Sequence, residues 1–159
     1  DSPSTVREVL DFLNDEVGVD SMMISPGYAY EKAPDQLHFL GVQQTQRLFR
    51  EAFAGRRRRW RLNHTPLFLD FLEGKVDFPC TAWGIPSYSV FGWQRPCYLM
   101  GDSYASSYRE LVETTDWERY GRGRDPRCRN CMAHCGYEPS AVIATTTSLR
   151  QSVRAALAR

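Results

Sequence analysis

Apolar residues open the chain at a helical period: Val6, Val9, Leu10, Leu13 and Val17 share one face. Thr5 and Glu8 have capping-box spacing and Gly18 is a natural stop, so a helix is predicted over 5–17. Ser21-Met-Met-Ile-Ser25 follows as a short strand apolar on both faces, ended by Pro26-Gly27, which suits the inside of a parallel sheet. After a loop over 28–41, a second helix is predicted over 43–54, with Leu48, Phe49, Ala52 and Phe53 inward and Gly55 as its stop. Helix, strand and helix make one turn of an α/β layer, and one turn cannot bury its own faces. Residues 1–55 are therefore expected to be the tail of a larger α/β body whose earlier strands lie outside this sequence.

Thr65-Pro66 begins a third helix and Gly74 ends it. Leu67, Phe68, Leu69, Phe71 and Leu72 leave only Asp70 and Glu73 polar, so the helix reads as largely buried, with Asp70 an exposed charge on its polar side. From Val76 the texture changes to Pro, Gly and aromatics. Strands are expected over 88–91 and 96–100, turning near Gly92, then a helix over 103–114 with Tyr104, Tyr108, Leu111 and Val112 inward. Beyond Glu138-Pro139 the pattern is helical, with a break at Thr145-Thr-Thr147, where β-branched residues weaken a helix. The division expected is 1–74 as α/β tail and linking helices, and 75–159 as a small α+β cysteine-rich domain.

Composition changes this picture little. The chain has 159 residues, 42% of them hydrophobic and 25% charged, with net charge +1, so no global field recruits nucleic acid. Arg56-Arg-Arg-Arg59 reads as a solvated helix end rather than a phosphate patch, because four adjacent side chains cannot share one face. No apolar run approaches the roughly 20 residues that span a bilayer. No signal-peptide pattern opens the chain, and its first residue is Asp1. The expected setting is cytoplasmic, with peripheral membrane association left open.

Candidate chemistry lies in the cysteines. All five fall in one stretch: Cys80-x11-Gly92-x4-Cys97, then Cys128-x2-Cys131-x3-Cys135. An odd number of clustered thiols in a chain of this size points to a metal in a reducing compartment rather than to disulfides. Thiolates select zinc or iron–sulfur over magnesium or calcium. A zinc ribbon usually repeats its tight knuckle and only one is present; a loose pair plus a compact set also suits an iron–sulfur cluster. Spacing alone leaves both open, with Cys80, Cys97, Cys128 and Cys131 as the expected four ligands and Cys135 as a fifth candidate. His134, beside Cys135, cannot easily reach the same metal. Trp60, Trp83, Trp93 and Trp117 are read as core, or alternatively as an apolar wall around the cysteines.

The cysteine spacing resembles the auxiliary-cluster domains (SPASM and its shortened twitch form) that follow the barrel of radical S-adenosylmethionine enzymes. More closely, four segments are similar to the C-terminal region of the hopanoid-biosynthesis radical S-adenosylmethionine family, the adenosyl-hopene transferases. They are Ile24-Ser-Pro-Gly-Tyr-Ala-Tyr-Glu-Lys-Ala33, Ala82-Trp-Gly-Ile-Pro-Ser-Tyr88, Phe91-Gly-Trp-Gln-Arg-Pro-Cys-Tyr98 and Cys131-Met-Ala-His-Cys-Gly-Tyr-Glu-Pro139. The likeness runs from about Met22 to Leu149. It implies that 1–74 is the last βα unit of a partial radical barrel and that the cysteines hold an auxiliary 4Fe-4S cluster. It implies an intact enzyme that joins the 5′-deoxyadenosyl radical to the alkene of a hopene, reduced by a protein such as a flavodoxin or ferredoxin. Tyr28 and Tyr30, just after the expected strand, would face cofactor or substrate; a packed loop tyrosine is the alternative. The family's Cys-x3-Cys-x2-Cys motif, which holds the radical-generating cluster beside S-adenosylmethionine, is absent here, so this piece alone is expected to be inactive. A zinc-stabilised binding module, or an accessory domain for another substrate, are the competing readings.

Overall fold

A computed structural model describes residues 2–28, 37–55 and 59–157. In chain order the helices and strands are α1 (Pro3–Asp11), α2 (Val42–Phe53), α3 (Pro66–Leu72), β1 (Tyr88–Ser89), β2 (Gly92–Arg95), β3 (Ser103–Ala105), α4 (Tyr108–Thr114), α5 (His134–Thr146) and α6 (Leu149–Leu157). Among the described residues about half are helical, and three strands form an antiparallel sheet in the order β1-β2-β3. The chain divides into two compact units, one from 1–26, 41–77 and 141–159, the other from 27–40 and 78–140. Helices α5 and α6 break where the threonine run was expected to weaken the pattern, and α6 lies in the first unit rather than with the cysteines.

The first unit is held by apolar side chains. Ser2 caps α1, its hydroxyl accepting from the Thr5 N–H at 3.2 Å, so the helix starts earlier than the Thr5–Glu8 pair suggests. After Asp11 it widens into a π turn, Phe12–Val17, that ends at Gly18. That widening rotates the face: Leu10 is buried, but Val9 and Val17 are exposed, contrary to the expected stripe. On α2, Phe49, Ala52 and Phe53 are buried, and Phe53 meets the buried Trp60 at 6.1 Å between ring centres. Trp60 donates its indole N–H to Asp11 at 2.9 Å. Of the arginine run, 56–58 lie outside the described residues, while Arg59 pairs with Asp15 and, at 3.6 Å, with Asp11.

Two expectations fail here for identifiable reasons. Pairing of the Met22 stretch is parallel, as expected, but it is a single bridge to Leu62 rather than a strand. Met22 donates to the Arg61 carbonyl and accepts from the Asn63 N–H, both at 2.8 Å, and then the His64 ring takes the Ile24 N–H at 3.0 Å, so the ladder stops. On α3, capped by the Thr65 hydroxyl, Asp70 and Glu73 are buried along with the apolar residues. Asp70 is not a solvated charge; Arg154 of α6 reaches it at 2.6 Å, which makes its burial affordable.

The second unit has less apolar core. Trp93 on β2 packs between the rings of Tyr88 and Tyr108, each 5.2 Å away. The strands are displaced from expectation. Gly92–Arg95 pairs with both neighbours, while the expected strand over 96–100 is a turn, because Pro96 has no N–H to give the ladder. Residues 103–105 form β3 rather than a helix; α4 starts only after Ser107, whose hydroxyl accepts from the Glu110 N–H. Leu111 is its one buried side chain, and Tyr104, Tyr108 and Val112 are exposed, not inward.

Candidate metal centre

Every cysteine of the chain lines one cavity of about 350 Å³ in the second unit, with Tyr28, Met100, Tyr120, Arg127 and Tyr137 among its other walls. The five arrive from four places. Cys80 lies on an extended stretch pinned to the first turns of α5: the Thr81 N–H donates to the Gly136 carbonyl at 2.9 Å, and the buried Ser140 hydroxyl bonds the Pro79 carbonyl and the Thr81 hydroxyl, each at 2.7 Å. Cys97 sits in the turn after β2, where the Met100 and Gly101 N–H groups donate to its carbonyl. Cys128 closes a short helical turn, Pro126–Cys128, and the Cys131 N–H donates back to its carbonyl at 3.0 Å. Cys135 stands on the first turn of α5 and is buried.

Two glycines make room for Cys80. A β-carbon added at Gly136 would stand 2.4 Å from the Cys80 sulfur, and one at Gly121 would stand 3.2 Å from the Cys80 β-carbon at a positive φ of 113°. The cysteine spacing gave no sign of either. Neither did it mark Tyr98, whose hydroxyl lies 2.8 Å from that of Tyr28.

Burial is the first cause that pushes all five thiols above their ordinary range, Cys131 to about 11 and Cys135 to about 12. Mutual repulsion adds to it: Cys80 is raised further by Cys131, Cys135, Cys97 and Cys128. Opposing groups are built in. Backbone N–H groups of Leu99 and Met100 face the Cys97 sulfur, that of Gly121 faces Cys128 and that of Ala133 faces Cys131. The Arg127 guanidinium favours the thiolates of Cys97 and Cys128 and is itself clamped by Asp102, at 2.6 and 2.9 Å, and by Asp125 at 2.8 Å. Five sulfurs, Cys135 buried and the other four half-buried, would repel one another as thiolates, and the N–H donors and cation around them offset part of that repulsion.

Among the described residues no three His, Cys, Asp or Glu side chains close tightly enough to hold one metal ion. A tetrahedral zinc needs sulfurs at about 2.3 Å from one point, hence about 3.8 Å from each other. In a four-iron cluster each thiolate binds its own iron, so the sulfurs stand further apart around one void. The five cysteines share one cavity without closing on one point.

Of the other candidates, Tyr28 lines the cavity, while Tyr30 lies outside the described residues. None of the tryptophans is in its wall. Trp60 is core of the first unit, Trp83 is exposed, Trp93 packs on tyrosines and Trp117 donates its indole N–H to the Val112 carbonyl at 3.1 Å. The apolar lining comes instead from Pro96, Leu99 and Met100.

Residues 22–155 match the sequence profile of the family described as Domain of unknown function (DUF3463). No curated protein and no solved structure matches the chain.

Proposed function

The chain belongs to the DUF3463 family, a family associated with radical S-adenosylmethionine proteins, and from that premise we propose that its second unit holds an auxiliary 4Fe-4S cluster in such an enzyme. The observation that carries this reading is the convergence of all five cysteines, spread over 80–135, on one cavity. When bound, the cluster supplies one-electron chemistry or a Lewis-acidic iron. The chain supplies the thiolates, the N–H groups of Leu99, Met100, Gly121 and Ala133 that stabilise them, and the Arg127 charge beside Cys97 and Cys128.

The finer reading is that the intact enzyme adds the 5′-deoxyadenosyl group to a hopene. It is supported by the four similar segments, two of which carry Cys97, Cys131 and Cys135, and by the position of Tyr28 at the cavity. On this reading 1–74 is the last part of the radical barrel, S-adenosylmethionine and a second cluster bind upstream, and the reductant is a flavodoxin or ferredoxin. Met22–Leu62 pairing in parallel agrees with a barrel tail. Among the described residues no helix is long and apolar enough to cross a membrane.

Anaerobic purification with iron, sulfide and zinc analysis tests the reading. About four irons and four sulfides per chain, with broad visible charge-transfer absorbance, are expected on the ligand count of a cubane. A colourless protein holding one tight zinc that iron cannot replace would defeat it in favour of the zinc-stabilised module.

A further inference from the structure

The hairpin β1-β2 ends in residues that a turn in water does not favour. Ser89 pairs with Gly92, so Val90 and Phe91 are the two residues of its tip, where hairpins ordinarily carry Asn, Asp or Gly. They are 93% and 74% exposed, and Tyr88 beside them is 69% exposed. The tip is held in place from below. The Ser89 hydroxyl accepts from the Phe91 N–H at 3.2 Å, and Gly92 lies so close to β3 that a β-carbon there would stand 2.5 Å from the Ala105 carbonyl oxygen. Apolar rings flank the tip on both faces of the sheet. Tyr88 stands opposite Trp93 on one face; on the other the Phe91 ring meets that of Tyr104 at 5.5 Å. Trp83 and Ile85, on the approach to β1, are exposed as well.

We propose that this tip seats the second unit on the surface of a bilayer of zwitterionic lipid, with Val90 and Phe91 entering the acyl region. Charge points to that occupant. No Asp, Glu, Lys, Arg or His stands between Asp77 and Arg95, and Arg95 itself is paired with Glu110 at 2.7 Å. A tip without charge leaves water at little cost, and it offers nothing for an anionic headgroup to bind. Shape points the same way. A protein partner laid flat on a sheet covers one face, whereas fluid lipid closes around a tip that is apolar on both. Tyr88 and Tyr104, each with an apolar ring and a polar hydroxyl, suit the headgroup level just above. The contact is one of lying on the membrane, not of crossing it. It is independent of what the cysteines hold.

The test floats the whole chain with phosphatidylcholine vesicles on a density gradient, in low and in high salt. Wild type is expected to rise with the vesicles equally in both. Val90→Ser with Phe91→Ser should weaken that binding by about tenfold or more, the loss of two buried apolar side chains. Phe91→Ser alone should do so by less, and it decides the matter if the double variant does not fold. Leu149→Ser with Leu157→Ser removes exposed apolar residues of the first unit and should float as wild type does. Four results would overturn the proposal: wild type left in the buffer fraction, tip variants that float as well as wild type, equal loss in the Leu149 and Leu157 variant, or binding that needs phosphatidylglycerol and vanishes in high salt. A wild-type dimer that ignores vesicles and is split by the tip substitutions would assign the tip to a second copy instead, and overturn it too. Iron content is measured on the same preparation, so failure of the cluster reading and failure of this proposal are seen separately.

Discussion

The two units bury different things. In the first, the interior is Phe49, Phe53, Trp60, Phe68, Phe71 and Leu72, brought together by helices whose caps and stops are written locally in Ser2, Thr65 and the glycines that follow them. In the second, the comparable list is short, Ala105, Leu111, Met132, Ala133 and Tyr137, and the space between is walled by five thiols. Apolar burial stabilises in proportion to area and needs no guest. Thiols that repel one another contribute little until a cation joins them, and then binding free energy becomes folding free energy. On the proposed cluster reading, one chain relies on two sources of stability, which can be removed separately.

If the second unit holds the proposed cluster, the largest effect should come from removing it. Cys97→Ala, or chelation of the wild type, is expected to cost the second unit on the order of 10 kcal/mol, by analogy with structural thiolate zinc. Hydrogen exchange should then rise across 78–140 while the amides of α1 and α2 keep their protection. Uniform protection in both units would break the comparison. Phe68→Ala attacks the other side. Phe68 is fully buried on α3, and such a truncation costs about 3–5 kcal/mol. Thermal unfolding of the first unit should fall while visible absorbance per chain stays at the wild-type value.

A smaller change sharpens the point inside the second unit. Gly136→Ala places a methyl group against the Cys80 sulfur, and overpacking of this kind costs about 1–3 kcal/mol. The same methyl should improve the helix propensity of α5, so circular dichroism is expected to hold while metal content drops. Unchanged metal content would show that Cys80 is not needed in its observed place.

How much of this could be read beforehand follows from the range of each interaction. Helix ends are local, and Gly18, Gly55, Gly74 and the threonine break all mark real boundaries. The cysteines were legible as a group because thiol chemistry is rare and their spacing is compact. Asp70 was misread because its partner, Arg154, lies far along the chain, and burial of a charge depends on the partner rather than on the helix. Gly121 and Gly136 carried no signal at all: each matters through one contact with Cys80, which only the folded turn-rich segment creates. Strands in that segment are two to four residues long, too short for a period of two to register.

The smallest effect concerns protons, and it asks whether the cavity survives without its guest. In the folded cavity the Cys131 thiol is raised from 9.0 to about 11, chiefly by burial, and Cys135 to about 12. Raised thiol values mean that the metal-free fold prefers protonated sulfur. Its stability is therefore complete below pH 9 and is lost as pH rises through 11 and 12, where unfolding would free the thiols to ionise. At pH 9 itself the loss is only a few tenths of a kcal/mol per thiol. Alkylation by iodoacetamide reads the same protons, because only thiolate reacts. If the metal-free second unit loosens as the comparison requires, Cys131 should be alkylated with an ordinary midpoint near 9, and loading with iron and sulfide should protect it at every pH. A midpoint that stays near 11 in metal-free protein, returning to 9 only in denaturant, would mean that the short apolar core holds the cavity closed by itself. The second unit would then differ from the first in degree and not in kind.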